Sequence, residues 1–172
     1  DKYRSREIAT SLGIPIPPGS GILSNVEEAR KWATGLAFPV IFKASAGGGG
    51  IGMVKVGKEE EVAEAFDTAT NRARLAFGDE RVYVEKYLES PHHIEIQILG
   101  DKDGNVVTFP ERECSVQRRH QKVIEESPSP FATAGLRQEL RQAAKSLARG
   151  IGYTNAGTVE FVIDGHRKFY FL

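Results

Sequence analysis

With a single cysteine, Cys114, in 172 residues, the chain cannot close an internal disulfide. That scarcity argues against a small secreted scaffold held by cross-links and fits a reducing compartment. Long apolar runs are also missing, and none approaches the roughly 20 residues needed to span a bilayer. Asp1-Lys2-Tyr3-Arg4 has neither the apolar stretch nor the small-residue cleavage site of a signal peptide. Nor is there an excess of one charge, since 23 Lys plus Arg balance 23 Asp plus Glu. Dedicated nucleic-acid or membrane-surface binders normally show a basic surplus, so neither partner is expected. There is no internal repeat and no low-complexity tract. What is present is a 40% apolar share, enough for a core, and 18 glycines whose clustering is informative. The length suits one domain or two small ones. A cytoplasmic location is expected, or the mitochondrial matrix in a eukaryote.

Punctuation and periodicity organise the chain. Asp1 to Leu12 reads as a helix capped by Asp1 and stopped by Gly13, and the proline-rich segment from Ile14 to Gly19 reads as a linker. Ser24 is expected to cap a helix carrying Val26, Ala29 and Ala33. Pro39 to Lys43 and Gly52 to Val56 read as a hairpin with glycines at its tip, followed by a helix from Lys58 to about Ala76. Arg81 to Leu88 and His93 to Leu99 alternate as strands. In the latter, isoleucines 94, 96 and 98 share one face and His93, Glu95 and Gln97 the other. Val106 to about Cys114 pairs back as a hairpin, and Ser115 to Pro130 shows no clear period. A helix from Thr133 to Arg149 turns Leu136, Leu140, Ala144 and Leu147 inward, before strands at Thr158 to Ile163 and Phe169 to Leu172. The chain stops inside an apolar run, which suggests a piece of something longer.

Three constellations carry chemistry. Lys43 stands at a strand end before Gly47 to Gly50, where backbone N–H groups approach phosphate oxygens unobstructed by Cβ. The order fits neither a P-loop nor a dinucleotide fingerprint, and a hairpin tip without ligand is the plainer alternative. The run from Glu111 to Glu126 packs Arg, His and Lys among acids. Val116, Val123 and Ile124 are expected to pin it to a core and aim His120 and Lys122 at a site; a solvated charged loop is the alternative, and an arginine-rich RNA contact a further one that the neutral net charge disfavours. Glu160 sits in an otherwise apolar strand, where a carboxylate needs a compensating partner. A salt bridge or a divalent metal bridging phosphates would supply it.

Taken together these residues resemble the central ATP-grasp region of biotin carboxylase, a module of acetyl-CoA, propionyl-CoA and pyruvate carboxylases. The resemblance spans essentially the whole chain, through Lys43 to Met53, Val84 to Leu88, His93 to Gln97, Glu111 to Glu126 and Ala156 to Phe161. The Glu111-to-Lys122 run is the most specific of these. Ile51 and Ala46 depart from the family pattern beside the glycine loop.

The resemblance implies an α+β ATP-grasp fold, with a small α/β lid subdomain and part of a mixed, largely antiparallel sheet core. On this division residues 1–16 are a leading helix and linker, 17–86 the lid, and 87–172 the first part of the core. It implies that Lys2 and Lys43 hold nucleotide phosphates and that Gly49 and Gly50 cover them. Glu85, Lys86, Tyr87 and Leu88 match the hinge that reads adenine, and His93, Gln117 and His120 match further nucleotide contacts. Lys122 matches a catalytic residue associated with bicarbonate and the transferring phosphoryl group. Glu160 matches one ligand of Mg2+ (or Mn2+).

The implied activity of the parent enzyme is ATP-dependent ligation. Bicarbonate attacks the γ-phosphate, and the resulting carboxyphosphate carboxylates biotin on a carrier domain. Implied partners are ATP, bicarbonate, the biotinylated carrier domain, a carboxyltransferase domain or subunit, and further copies of the full-length chain. A second metal ligand, a bicarbonate arginine and a base are expected beyond Leu172, so the 172 residues alone are expected to be inactive. Another ATP-grasp ligase, of carbamoyl-phosphate or purine type, and a non-catalytic nucleotide-binding module remain as alternatives.

Overall fold

The computed structural model describes residues 1–172 except Gly48 and Gly49. Contacts divide the chain into two compact units: Asp1–Ser5 with Pro17–Leu88, and Arg6–Ile16 with Glu89–Leu172. The leading helix α1 (Lys2–Ser11) thus contributes to both. The Arg4 amide donates to Asp1 Oδ1 at 3.0 Å, the cap expected for its start.

The first unit is a three-stranded antiparallel sheet, order β2-β1-β3, of β1 (Val40–Ala44), β2 (Val54–Val56) and β3 (Val82–Lys86). Period-2 alternation sends Val40, Phe42, Ala44, Val56, Val82 and Val84 to one face, where they pack with α2 (Val26–Gly35) and α3 (Val62–Phe77). Ala65, Ala69 and Ala73 recur every four residues on α3, and their small side chains let the helix lie close on the sheet. Two expectations need correction. Asn25, not Ser24, caps α2: its extended backbone (φ −160°) lets Oδ1 accept the Glu28 amide at 2.9 Å. The expected helix from Lys58 begins instead with a 3₁₀ turn, Glu59–Glu61, whose three adjacent acids precede the α-helical hydrogen bonds. At the hairpin tip, a Cβ on Gly47 (φ +85°) would stand 2.1 Å from the Phe77 ring, so only glycine fits there.

The second unit is a five-stranded sheet, order β6-β5-β4-β7-β8, with every pair antiparallel. Its strands are β4 (His92–Gly100), β5 (Val106–Arg118), β6 (Gln121–Glu126), β7 (Asn155–Ile163) and β8 (Phe169–Phe171). Helix α4 (Ala134–Gly150), capped by Thr133, covers one face. There Leu136, Leu140, Ala144 and Leu147 meet Ile94, Ile96, Ile98, Val159, Phe161 and Ile163. Burying one such side chain stabilises by about 1.5–3 kcal/mol, so this apolar layer dominates the unit's stability. The opposite face of the sheet carries the polar residues.

The stretch from Ser115 onward is not the aperiodic segment that the sequence suggests. β5 runs on to Arg118, turns through Arg119 and His120 (φ +52° and +65°), and returns as β6. Register shifts between Glu113 and Gln117 break the alternation, which is why no period shows in the sequence. Val116, Val123 and Ile124 are exposed rather than pinned to a core. Backbone pairing holds the hairpin instead.

Candidate functional site

The polar face of the five-stranded sheet gathers charged groups from four strands. Pleating that drives Ile94 and Ile96 into the core must turn Glu95 to the other side. Its strand partners are Arg112 on β5 and Glu160 on β7. Two carboxylates directly opposite each other repel, and the arrangement needs a cation between them. Lys122 fills that role. Paired with Gln117 across the β5–β6 hairpin, it bonds Glu95 at short range and donates to Glu160 Oε1 at 2.9 Å. Arg112 bonds the other Glu95 oxygen and donates to Gln97 Oε1 at 3.0 Å, with Glu125 Oε2 3.2 Å from its Nε.

Exposure separates the two acids. The Glu95 side chain is 1% exposed and flanked by two cations, whereas Glu160 is 39% exposed. His93 Nε2 lies 3.4 Å from Glu160 Oε2, close to the carboxylate but short of hydrogen-bond geometry. The Gln117 side-chain amide donates to the Cys114 carbonyl at 2.9 Å and stands 2.6 Å from His93 Nδ1. If that amide donates to Nδ1, the ring hydrogen sits on Nε2, the nitrogen that faces Glu160.

Titration follows from these contacts. His93 beside Glu160 holds that carboxyl down to about 2, partial burial opposes the shift, and the Lys122 hydrogen bond reinforces it. Burial alone would lower the Lys122 pKa, but its bonds to Glu95 and Glu160 win and raise it, so the ammonium stays charged. Burial, then the nearby Glu95 charge, pushes the Cys114 thiol up to about 12. Cys114, Glu95 and Glu125 offer ligand atoms within 4.8 Å of one another. A neutral thiol and a carboxylate already committed to two cations make that a poor metal centre.

The Glu160 shift carries a pH prediction. A folded-state pKa of about 2, below the ordinary 4.5, means the pairing stabilises the fold above pH 4.5. Its contribution is lost as pH falls from there toward 2. The stability difference between wild type and Glu160→Gln should shrink across that window, read by denaturant titration at several pH values. A difference independent of pH would contradict the pairing.

The other expected residues lie as follows. In the first unit, Lys43 Nζ sits 2.5 Å from Glu85 Oε2, a diagonal pair across β1 and β3, with Glu85 almost fully buried. The Lys2 amide donates to the Ser45 carbonyl at 2.8 Å. Lys86 Nζ donates to the Ala37 and Phe38 carbonyls, its amide to Pro18 and the Tyr87 amide to Pro39. Leu88 ends this unit, Gly50 (φ +78°) belongs to the glycine turn, and Gly49 lies outside the described residues. In the second unit His93, Gln117, Lys122 and Glu160 form one cluster, while His120 is exposed in the hairpin turn.

Sequence reasoning missed Glu95, Arg112, Gln97 and Glu125 as members of the cluster. Alternation in β4 already placed Glu95 beside His93; only the strand register shows what it faces. It missed a second buried acid too. Glu111, on the core side of β5, pairs with Arg137 Nε of α4 at 2.6 Å and ties helix to sheet.

Comparison with known proteins relates the chain by sequence and fold to a family of ATP-binding domains. Residues 1–172 match the family described as carbamoyl-phosphate synthase L chain, ATP binding domain. The chain is 49% identical over 172 residues to Biotin carboxylase 2 of Bacillus subtilis (strain 168), covering 99% of this chain and 39% of that protein. It is similar to the crystal structure of a biotin carboxylase–β-γ-ATP complex from Campylobacter jejuni. The TM-score is 0.97 at 46% identity, over 99% of this chain and 39% of that one. The biotin carboxylase domain dimer of Hydrogenobacter thermophilus 2-oxoglutarate carboxylase, in complex with MgADP, ADP and bicarbonate, gives 0.95 at 46%, over 99% and 38%. The chain therefore spans about two-fifths of the length of these relatives, and its α+β fold is that of their ATP-grasp region. It belongs to the carbamoyl-phosphate synthase L chain ATP-binding domain family.

Proposed function

We propose that the protein containing this chain carboxylates biotin at the expense of ATP, with bicarbonate as the carbon source. The observation that carries the reading is Lys122, an ammonium fixed on buried Glu95 and turned toward Glu160 on the polar sheet face. Phosphoryl transfer needs little covalent chemistry from a protein; it needs positioning and charge neutralisation. Lys122 supplies a fixed positive charge where negative charge develops on the transferring group. His93 and Gln117 present ring and amide groups beside it. Glu160, a half-buried carboxylate that still reaches solvent, suits a hard cation such as Mg2+ or Mn2+, which bind through one or two carboxylates plus substrate phosphates. Such an ion, when bound, neutralises phosphate charge. Biotin on a carrier domain is the acceptor, and a carboxyltransferase domain or subunit uses the product. The full-length protein acts as a homo-oligomer in the cytoplasm or mitochondrial matrix.

Lys43 in the first unit is assigned to the nucleotide phosphates. A charge-assisted contact there contributes about 1.5–3 kcal/mol, so Lys43→Ala raises the ATP dissociation constant roughly ten- to a hundredfold in the full-length protein. Calorimetry reads it; an unchanged constant removes Lys43 from the site.

The family's own description favours a second reading, a carbamoyl-phosphate-type ligase. ADP release by the full-length protein separates the two. Stimulation by biotin in the presence of bicarbonate supports the first reading, and stimulation by ammonia or glutamine without biotin replaces it with the second.

A further inference from the structure

We propose that Glu160 is an exchangeable partner of Lys122: it holds the lysine while no metal is bound, and gives it up on taking a divalent cation. The inference rests on the assignment of Glu160 to the metal. Its basis is the inequality of the two carboxylates that Lys122 bridges. Glu95 is 1% exposed, placed by β4 pairing on both sides, and fastened by Arg112; it has no room to turn. Glu160 is 39% exposed and engages both oxygens with neighbours, Oε1 with Lys122 at 2.9 Å and Oε2 near His93 at 3.4 Å. A cation arriving at this carboxylate meets an oxygen already occupied by an ammonium, and two positive charges cannot share it cheaply. One contact must yield, and the solvent-facing one does. Lys122 then stays on Glu95, and the N–H that Glu160 gave up becomes available to an anionic substrate.

Linkage makes the exchange measurable without turnover. Whatever Lys122 gains from Glu160 is withheld from the metal, so removing its charge strengthens metal binding. A cation this close commonly shifts a carboxylate equilibrium by one to three decades, so Lys122→Met should bind Mn2+ about tenfold more tightly, or better. Lys122→Arg, which keeps the charge, should bind Mn2+ as wild type does and guards against a folding artefact in the methionine variant. Free Mn2+ is titrated by electron paramagnetic resonance against the full-length protein and each variant, folding being checked by circular dichroism. Glu160→Gln should weaken Mn2+ binding and erase the gain in the double variant. Loss in Glu160→Gln without a gain in Lys122→Met overturns the exchange while leaving the metal assignment standing. No loss in Glu160→Gln overturns both. A gain that persists in the double variant shows that Lys122 acts on some other carboxylate, and the exchange is wrong.

Discussion

Replacing Lys122 with methionine in the full-length protein should lower biotin-dependent ADP release by about 10²–10³ in kcat at saturating Mg2+, with no rise in KM for ATP. The magnitude is that of removing one preorganised group aimed at developing charge. The split between kcat and KM follows from where the lysine is spent. Two of its donors are committed to Glu95 and Glu160, so in the resting protein it offers little to a ground-state nucleotide. Lys122→Arg should recover only part of the rate, because a planar guanidinium keeps the charge beside the two acids but spreads it, and cannot aim a compact ammonium at the transferring group. A variant losing less than about threefold would take Lys122 out of the chemistry.

Glu95→Ala carries the second large effect. Removing one member of a buried ion-pair network costs about 3–5 kcal/mol when charges are left behind uncompensated. Here Arg112 and Lys122 are 30% and 24% exposed, and water screens part of the loss. Relief of the repulsion between Glu95 and Glu160 offsets more, which places the expected cost near the lower end of that range. Amides of Ile94 to Ile98, in the central strand, should then exchange with solvent about 10²-fold faster. Glu95→Gln keeps hydrogen-bond acceptance without charge and should fall between. Exchange rates unchanged in Glu95→Ala would mean the network contributes nothing to holding the sheet.

How far the sequence reveals this site depends on which physical signal places each residue. Alternation in His93 to Leu99 separates the isoleucines from His93, Glu95 and Gln97, and the period of α4 gives its buried leucines. Both are local signals and both survive folding. Register is not local. That Glu95 stands opposite Glu160, with Lys122 between them, depends on β4 pairing with β7 across an intervening helix and hairpin. The hairpin that delivers Lys122 is hidden by its own bulges, and its turn uses Arg119 and His120 at positive φ instead of the Asn-Gly that marks such turns. Exposed Val116, Val123 and Ile124 suggest a buried segment by composition alone, and strand pairing overrides that hint. The family resemblance singles out Lys122 and Glu160, while the reason for their closeness is visible only in the folded sheet.

The proposal that bicarbonate attacks ATP at this site is tested most directly by following oxygen. Full-length protein, ATP and biotin are incubated with 18O-labelled bicarbonate, and the released phosphate is analysed by mass spectrometry. Attack of a bicarbonate oxygen on the γ-phosphorus displaces ADP, and cleavage of the C–O bond in the resulting mixed anhydride leaves that oxygen on phosphate. The account predicts one labelled oxygen in each phosphate formed, at a rate that falls with turnover in Lys122→Met. Phosphate without label, its fourth oxygen taken from solvent beside the three that come from ATP, would show that water, not bicarbonate, is the nucleophile, and would contradict the account.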